Sequence, residues 1–250
     1  MEASAAWIGA GLFSRLRNVE EVAPVLPNWP MIRVKTDMPY VCIGIDDGWW
    51  PERVEQFLMV MEEYKRTRGV EPKFTVFPVG KVMVQSPDLW RAVKAAGHVI
   101  GNHSHSHLYI RGKSENKIRS DFDYFEEVDY PEVFGEAFPK PGCLRVPFAE
   151  APVKANHNVW DIPFKMNDFD VHWIRDTYSW NTNGKNIEAN RKYCLKMLGR
   201  FAQGDIAVMH FLNLDMVNLP TILDNLEKQG LKNVPFPDLW EARDRNYYGG

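Results

Sequence analysis

Cysteine is scarce in this chain: Cys42, Cys143 and Cys194 are the whole complement of 250 residues. Three thiols build no disulfide framework. Cys42 and Cys143 fall in apolar, strand-like runs, so reduced and buried side chains are expected. No stretch approaches the ~18 consecutive apolar residues of a membrane span. Charge of one sign is not in excess either, since 30 Lys and Arg against 33 Asp and Glu leave a net charge of -3. That balance gives no electrostatic reason to expect nucleic acid or an anionic membrane as partner. No GxGxxG follows a strand-like run, which removes the main sign of a dinucleotide site. Internal repeats and low-complexity segments are missing, and only the tail "NYYGG" reads as liable to fray. The opening "MEASAAWIGAGLFSRLRN" begins with Glu2 and has no basic leader, a poor secretory signal. The expectation is a cytoplasmic chain, or one released by a non-classical route.

What is present is an alternation of strands and helices. "VCIGI" (41–45) is an apolar run of the kind buried in a parallel sheet. A helix follows, with Pro51 in its first turn and Gly69 at its end. "KFTVFPVG" is a second strand. Ser86, Pro87 and Gly97 then read as N-cap, first helical residue and stop. "HVIGNH" is a third strand and "SENKIRSDFDYFEEV" a helix; "CLRVPF" and "DVHWIRDT" are strands. A helix around 186–201, the strand "DIAVMHF" and the helix "LPTILDNLEKQG" complete the series. The pattern predicts one α/β domain, a distorted barrel of the (β/α)7 type, over 39–250. Residues 1–38 precede the alternation and are expected to pack on the barrel as an extension.

In such barrels the chemistry collects at the C-terminal ends of the strands. Asp46 and Asp47 end the first, His103, His105 and His107 follow the third, and Arg145, Asp176 and His210 end later ones. His103 and His107, four apart, share a face in a turn or helix start, whereas His105 points elsewhere. Two imidazoles and Asp47 make a set that binds a divalent metal and leaves positions open. Each residue also has a plainer reading. Asp-Asp-Gly is a common turn, "HSHSH" a polar loop, Arg145 a barrel-end ion pair, His210 a satisfied core histidine and Trp180 core. All of these plain readings together would scatter the residues, yet they fall on one rim.

In order along the chain, "GIDDG", "HSHSH", "RVPF", "DTYSW" and "VMH" resemble the five motifs of the polysaccharide deacetylases. These are the family 4 carbohydrate esterases that share the NodB-homology domain. The resemblance runs from about 39 to about 240. It implies hydrolysis of acetamide groups on an N-acetylated glycan, such as chitin-type oligomers or peptidoglycan. By the same resemblance Asp47, His103 and His107 hold one divalent metal, most often zinc, with cobalt, nickel, manganese or iron(II) as alternatives. Asp46 takes the proton of the attacking water, and His210 is the acid that protonates the leaving amine. Asp176 hydrogen-bonds His210, and Arg145 pairs with Asp46. The backbone N–H of Phe148 helps hold the oxyanion; Trp180 and Val208 wall the acetyl pocket.

Three departures from the family pattern stand out. Gly44 and Ile45 replace the usual Thr and Phe, Phe148 replaces Tyr, and Ser179 stands where many members have a second Asp before the Trp. None removes a catalytic group. Trp49 and Trp50 leave the first strand on the rim, so one of them is expected to form a sugar subsite. Two other functions compete: hydrolysis of a small cyclic amide or imide on the same barrel, and a non-catalytic glycan-binding module. The second would need a missing base or acid, and neither Asp46 nor His210 is missing. The oligomeric state is not legible.

Overall fold

Val41 to Ile45 are buried from end to end, as their apolar character requires, and form the centre of β1 (Tyr40–Asp47). The computed structural model describes residues 26, 27, 29–149, 161–181 and 187–248. Around β1 are laid β2 (Thr75–Pro78), β3 (Val99–Ile100), β6 (Arg175–Asp176), β7 (Ile206–His210) and β8 (Lys232–Asn233). They make one sheet of order β3-β2-β1-β7-β6, with β8 on the start of β1. All of its pairings are parallel. A separate pair, β4 (Gly142–Leu144) with β5 (Asp168–Asp170), continues the curve through an isolated parallel bridge from Asn102 to Leu144.

No closed barrel forms among the described residues. The expected strand "DVHWIRDT" (170–177) is not continuous: only Asp170 belongs to β5 and only Arg175 and Asp176 form β6, and the two strands lie in different sheets. The extended residues 31–34 lie across that break. Met31 N–H donates to Asp170 O, His172 N–H to Met31 O, and Ile206 N–H to Ile32 O. Backbone groups that an open edge would leave unpaired are thereby satisfied. Most of the expected 1–38 extension lies outside the described residues.

The helices are α1 (Pro51–Arg68), α2 (Gly80–Met83), α3 (Pro87–Ala95), α4 (Glu115–Tyr124), α5 (Tyr130–Phe134) and α6 (Asp161–Lys165), then α7 (Ile187–Met197), α8 (Asn213–Lys228), α9 (Phe236–Glu241) and α10 (Arg245–Tyr248). None of the described helices is long and apolar enough to cross a membrane. Pro51 opens α1 and Gly69 closes it at φ 70°, as the spacing predicts. Ser86 precedes α3 without a side-chain cap, whereas Ser114 Oγ does accept the Lys117 N–H at the start of α4. Between α4 and α5 lies a π-helical turn, Phe125–Asp129, which the helical pattern did not predict. All three cysteines are free and buried.

Away from the rim, His98 is buried between Phe57 and Phe74, with ring centroids 4.8 and 5.7 Å away. Its Nδ1 accepts the Phe74 N–H at 3.2 Å, and its Nε2 has no hydrogen-bond partner. Burial, aided by the charge of Lys73, lowers its pKa to about 4. The unfolded chain therefore takes up this proton first, near pH 6.5, and the fold loses stability from there down to about pH 4. The loss is on the order of 3 kcal/mol over that window. Urea unfolding of His98→Asn, which keeps an acceptor for Phe74, should show a shallower decline between pH 7 and pH 4.5 than the parent. Parallel declines would show that His98 is not the group responsible.

Candidate functional site

Registry decides which rim residues meet. β1 and β7 run in parallel with Asp46 and His210 as Cα partners, so the two side chains leave neighbouring strands at one level. Val208, Gly44 and Asp176 share the level two residues below. Val208 is fully buried there, so it can only underlie a pocket and not border it openly.

Arg145, immediately after β4, is fully buried and reaches across to this level. Its Nη1 donates to Asp46 Oδ1 at 2.7 Å, its Nε to the Val171 carbonyl at 2.8 Å and its Nη2 to the His172 carbonyl at 3.5 Å. The Phe77 ring lies 4.2 Å from the guanidinium carbon, a cation–π contact. Gly44 lies against the same guanidinium, and any Cβ there would collide with it. In this chain the guanidinium occupies the space that a side chain at position 44 would take.

The Arg145 carbonyl is 2.8 Å from His103 Nδ1. A carbonyl can only accept, so Nδ1 carries a proton and the neutral ring presents the Nε2 lone pair outward. His103 Nε2 lies 3.5 Å and His107 Nε2 3.2 Å from Asp47 Oδ1, a buried oxygen without a hydrogen-bond partner. Donor atoms of Asp47, His103 and His107 all fall within 4.8 Å of one another. Tetrahedral bonds of ~2.1 Å to one ion would set such donors about 3.4 Å apart. The three residues fit a divalent cation. The electrostatics point the same way. Burial opposes charge on Asp47, but the neighbouring His103 and His107 imidazoles outweigh it and hold its pKa well below the usual range. Burial likewise opposes charge on His103, and the carboxylates of Asp46 and Asp47 overcome it, raising its pKa. Positive charge is drawn to this point.

The histidines do not converge by helical spacing. Residues 103–107 form no helix; Ser104 and His107 take φ of 62° and 59°, and Asp47 itself takes 80°. Such backbone in a non-glycine residue costs about 1–3 kcal/mol and persists only where surroundings impose it. Here α4 and the π-turn impose it. Asp121 accepts from the N–H and hydroxyl of Ser106, Glu126 Oε1 from Asn102 Nδ2, and Asp129 Oδ2 lies 2.8 Å from His105 Nδ1. The wider π-turn brings Glu126 onto the face of Asp121, five residues earlier. Asn102 Oδ1 in turn accepts the Ser104 N–H. None of these four supporting residues was singled out by sequence; the run of acids in a predicted helix was the available signal.

One expected contact is absent. Asp176 does not hydrogen-bond His210: its Oδ1 accepts the Tyr178 N–H at 2.6 Å and its Oδ2 the Trp180 indole N–H at 3.4 Å. Tyr178 takes φ 52°, and the turn this creates folds the carboxylate back on its own loop. His210 Nδ1 is buried without a partner. Phe148, at φ 63°, lies with its ring centroid 4.4 Å from that of His107. Trp49 stands edge-on to His107 at 5.9 Å, under Lys81. Trp49 is 37%, Trp50 49% and Trp180 55% exposed, so none is core. Trp50 and Trp180 line one cavity of about 510 Å³ together with Arg53, Arg191 and Asn213.

A family model described as polysaccharide deacetylase matches residues 33–162. The chain belongs to the polysaccharide deacetylase family. A peptidoglycan-N-acetylglucosamine deacetylase of Bacillus cereus is 27% identical over 210 residues, which are 80% of this chain and 87% of that one. Bacillus subtilis PdaA, a family 4 carbohydrate esterase, superimposes with a TM-score of 0.68 at 22% identity, covering 85% of each chain. A family 4 pseudoenzyme from Bacillus anthracis matches with a TM-score of 0.70 at 18% identity, over 86% of this chain and 69% of that one. At such identities the solved structures speak for the fold alone, and the pseudoenzyme shows that the fold does not guarantee activity. The chemistry of this deacetylase-family hydrolase is set by its own rim residues.

Gly44→Thr, the family's usual residue, should therefore be harmful here. The added side chain displaces Arg145 from Asp46 and lowers stability by about 1–3 kcal/mol, as overpacked cores do. Thermal unfolding with a parallel metal-content assay checks this; unchanged stability would mean that Arg145 relocates freely.

Proposed function

We propose that this chain is a divalent-metal-dependent hydrolase that removes acetyl groups from an N-acetylated glycan, of the chitin-oligomer or peptidoglycan type. The observation that carries this reading is the convergence of the Asp47, His103 and His107 donors beside Asp46, itself fixed by Arg145. Asp47, His103 and His107 would hold the metal, with zinc the first candidate by its preference for imidazole and carboxylate ligands. When bound, a divalent cation supplies Lewis-acid activation of water and of the amide carbonyl. Asp46 accepts the proton of the attacking water, oriented by Arg145 so that one oxygen is engaged and the other faces the site. The Phe148 N–H donates to the oxygen of the amide as charge develops on it. His210 delivers a proton to the departing amine, without which that group is a poor leaving group.

The aromatic cavity favours a glycan over a small cyclic amide. Trp50 and Trp180 offer flat apolar faces, and Arg53 and Asn213 offer polar atoms, a combination suited to a further sugar ring. The name of the Bacillus cereus relative supports peptidoglycan as the first polymer to assay.

Three variants test the reading. His107→Ala should lose bound metal, measured by elemental analysis, together with acetate release; full metal content would remove the proposed ligand set. Asp46→Asn should keep the metal yet lose roughly a hundred- to ten-thousand-fold in rate, the worth of a positioned base. Trp50→Ala should raise KM for N-acetylglucosamine oligomers more than for the monomer; equal effects on both would exclude a subsite there.

A further inference from the structure

Asp215 is a buried carboxylate that the scheme above does not use. It is the third residue of α8 and has no exposed surface. Its Oδ2 accepts three hydrogen bonds: from the His210 N–H at 2.8 Å, from Ser179 Oγ at 2.5 Å and from Thr177 Oγ1 at 3.4 Å. One oxygen thereby ties the end of β7 to the loop that carries Asp176 and Trp180. The other oxygen, Oδ1, is buried with no partner, and so is His210 Nδ1. The two atoms do not hydrogen-bond each other, so the direct link between Asp215 and His210 is the backbone N–H.

Ser179 gives this arrangement its meaning. Many family members carry an acid at that position, directly before the Trp. Here the position carries a hydroxyl that donates to an acid arriving from α8. Asp176 makes no hydrogen bond to His210, and its oxygens accept from the Tyr178 N–H and the Trp180 indole N–H of its own loop. Capping of α8 would explain an acid in the first turn, but caps sit at the surface, where their charge is hydrated. A carboxylate taken wholly out of water is costly unless charge or hydrogen bonds compensate it. Burial pushes the pKa of Asp215 up to about 6, and the charge of His210 is the leading influence drawing it back.

We infer that Asp215 is a positioning residue for His210: through the backbone N–H it fixes the strand end that carries the imidazole, ties that end to the Ser179 loop, and keeps a buried carboxylate near the ring. The inference rests on the reading of His210 as the acid, so the experiment separates the two. Acetate release from N-acetylglucosamine oligomers is compared for the metal-loaded parent, His210→Ala, Asp215→Asn and the exchange Ser179→Asp with Asp215→Ser. Asp215→Asn keeps an acceptor for the His210 N–H but loses the charge. Its kcat should fall at least about tenfold with KM within about twofold, since a proton donor acts in the transition state and not in binding. The exchange returns the carboxylate to the loop and should recover kcat to within about threefold of the parent. If Asp215→Asn fails to fold, the exchange decides alone. A slow His210→Ala beside a parent-like Asp215→Asn overturns the inference and leaves the acid reading standing. A folded exchange with a kcat reduced at least about tenfold overturns it too. A parent-like His210→Ala overturns the acid reading, and the inference with it.

Discussion

A guanidinium held without water is the constraint on which the rim depends. Removing two opposite charges from water costs several kcal/mol per ion, and attraction offsets this only with good geometry and further hydrogen bonds. Arg145 and Asp46 meet these terms, since every arm of the guanidinium has an acceptor and Phe77 covers its face. The same residue's carbonyl sets the tautomer of His103. Its N–H donates to the Asn102 carbonyl, one residue before that histidine. One buried residue thus orients the proposed base with its side chain and a proposed ligand with its main chain. Loss of Arg145 would leave Asp46 buried and uncompensated, which is why the pair cannot be read as a dispensable surface ion pair.

The strain in the backbone collects where this constraint acts. Six non-glycine residues among those described have positive φ: Asp47, Ser104, His107, Phe148, Asn167 and Tyr178. All but Asn167 belong to the rim loops that carry the site. A relaxed loop would point Asp47 and His107 elsewhere, so the convergence of donors is imposed from behind by α4 and the π-turn. Asp121, Glu126 and Asp129 grip the histidine loop through Ser106, Asn102 and His105. The loop that carries the two histidines is thus tied down by hydrogen bonds within the protein.

How much of this was legible follows from what each signal encodes. The strand ending in Asp46 and Asp47 was plain because five apolar residues precede it, and the rim followed from the rule that strand ends carry the chemistry. His103 and His107 were found by spacing, but for a partly wrong reason, since left-handed residues and not a helical turn bring them together. Registry lies beyond a single sequence: nothing local tells β7 to place His210 beside Asp46. The Asp176 expectation failed at the same boundary. A residue pattern puts Asp176 and His210 on one rim, yet the turn at Tyr178 decides where the carboxylate points. The break in "DVHWIRDT" between Asp170 and Arg175 was hidden because its apolar residues have strand-like composition. Asp215 was invisible as a site residue because an acid early in a helix has an ordinary capping explanation.

Gly44 and Ser179 show that departures from a family pattern are informative when their neighbours are read with them. Taken singly, each substitutes a smaller side chain for a larger one and suggests a weakened site. In the fold the Arg145 guanidinium lies against Gly44, and the Asp215 carboxylate accepts from the Ser179 hydroxyl. Gly44 is thus where a motif arginine has room, and Ser179 is where a hydroxyl holds an acid from α8. Neither departure, read with its neighbour, removes a charged group from the rim, on a fold that elsewhere also carries a pseudoenzyme.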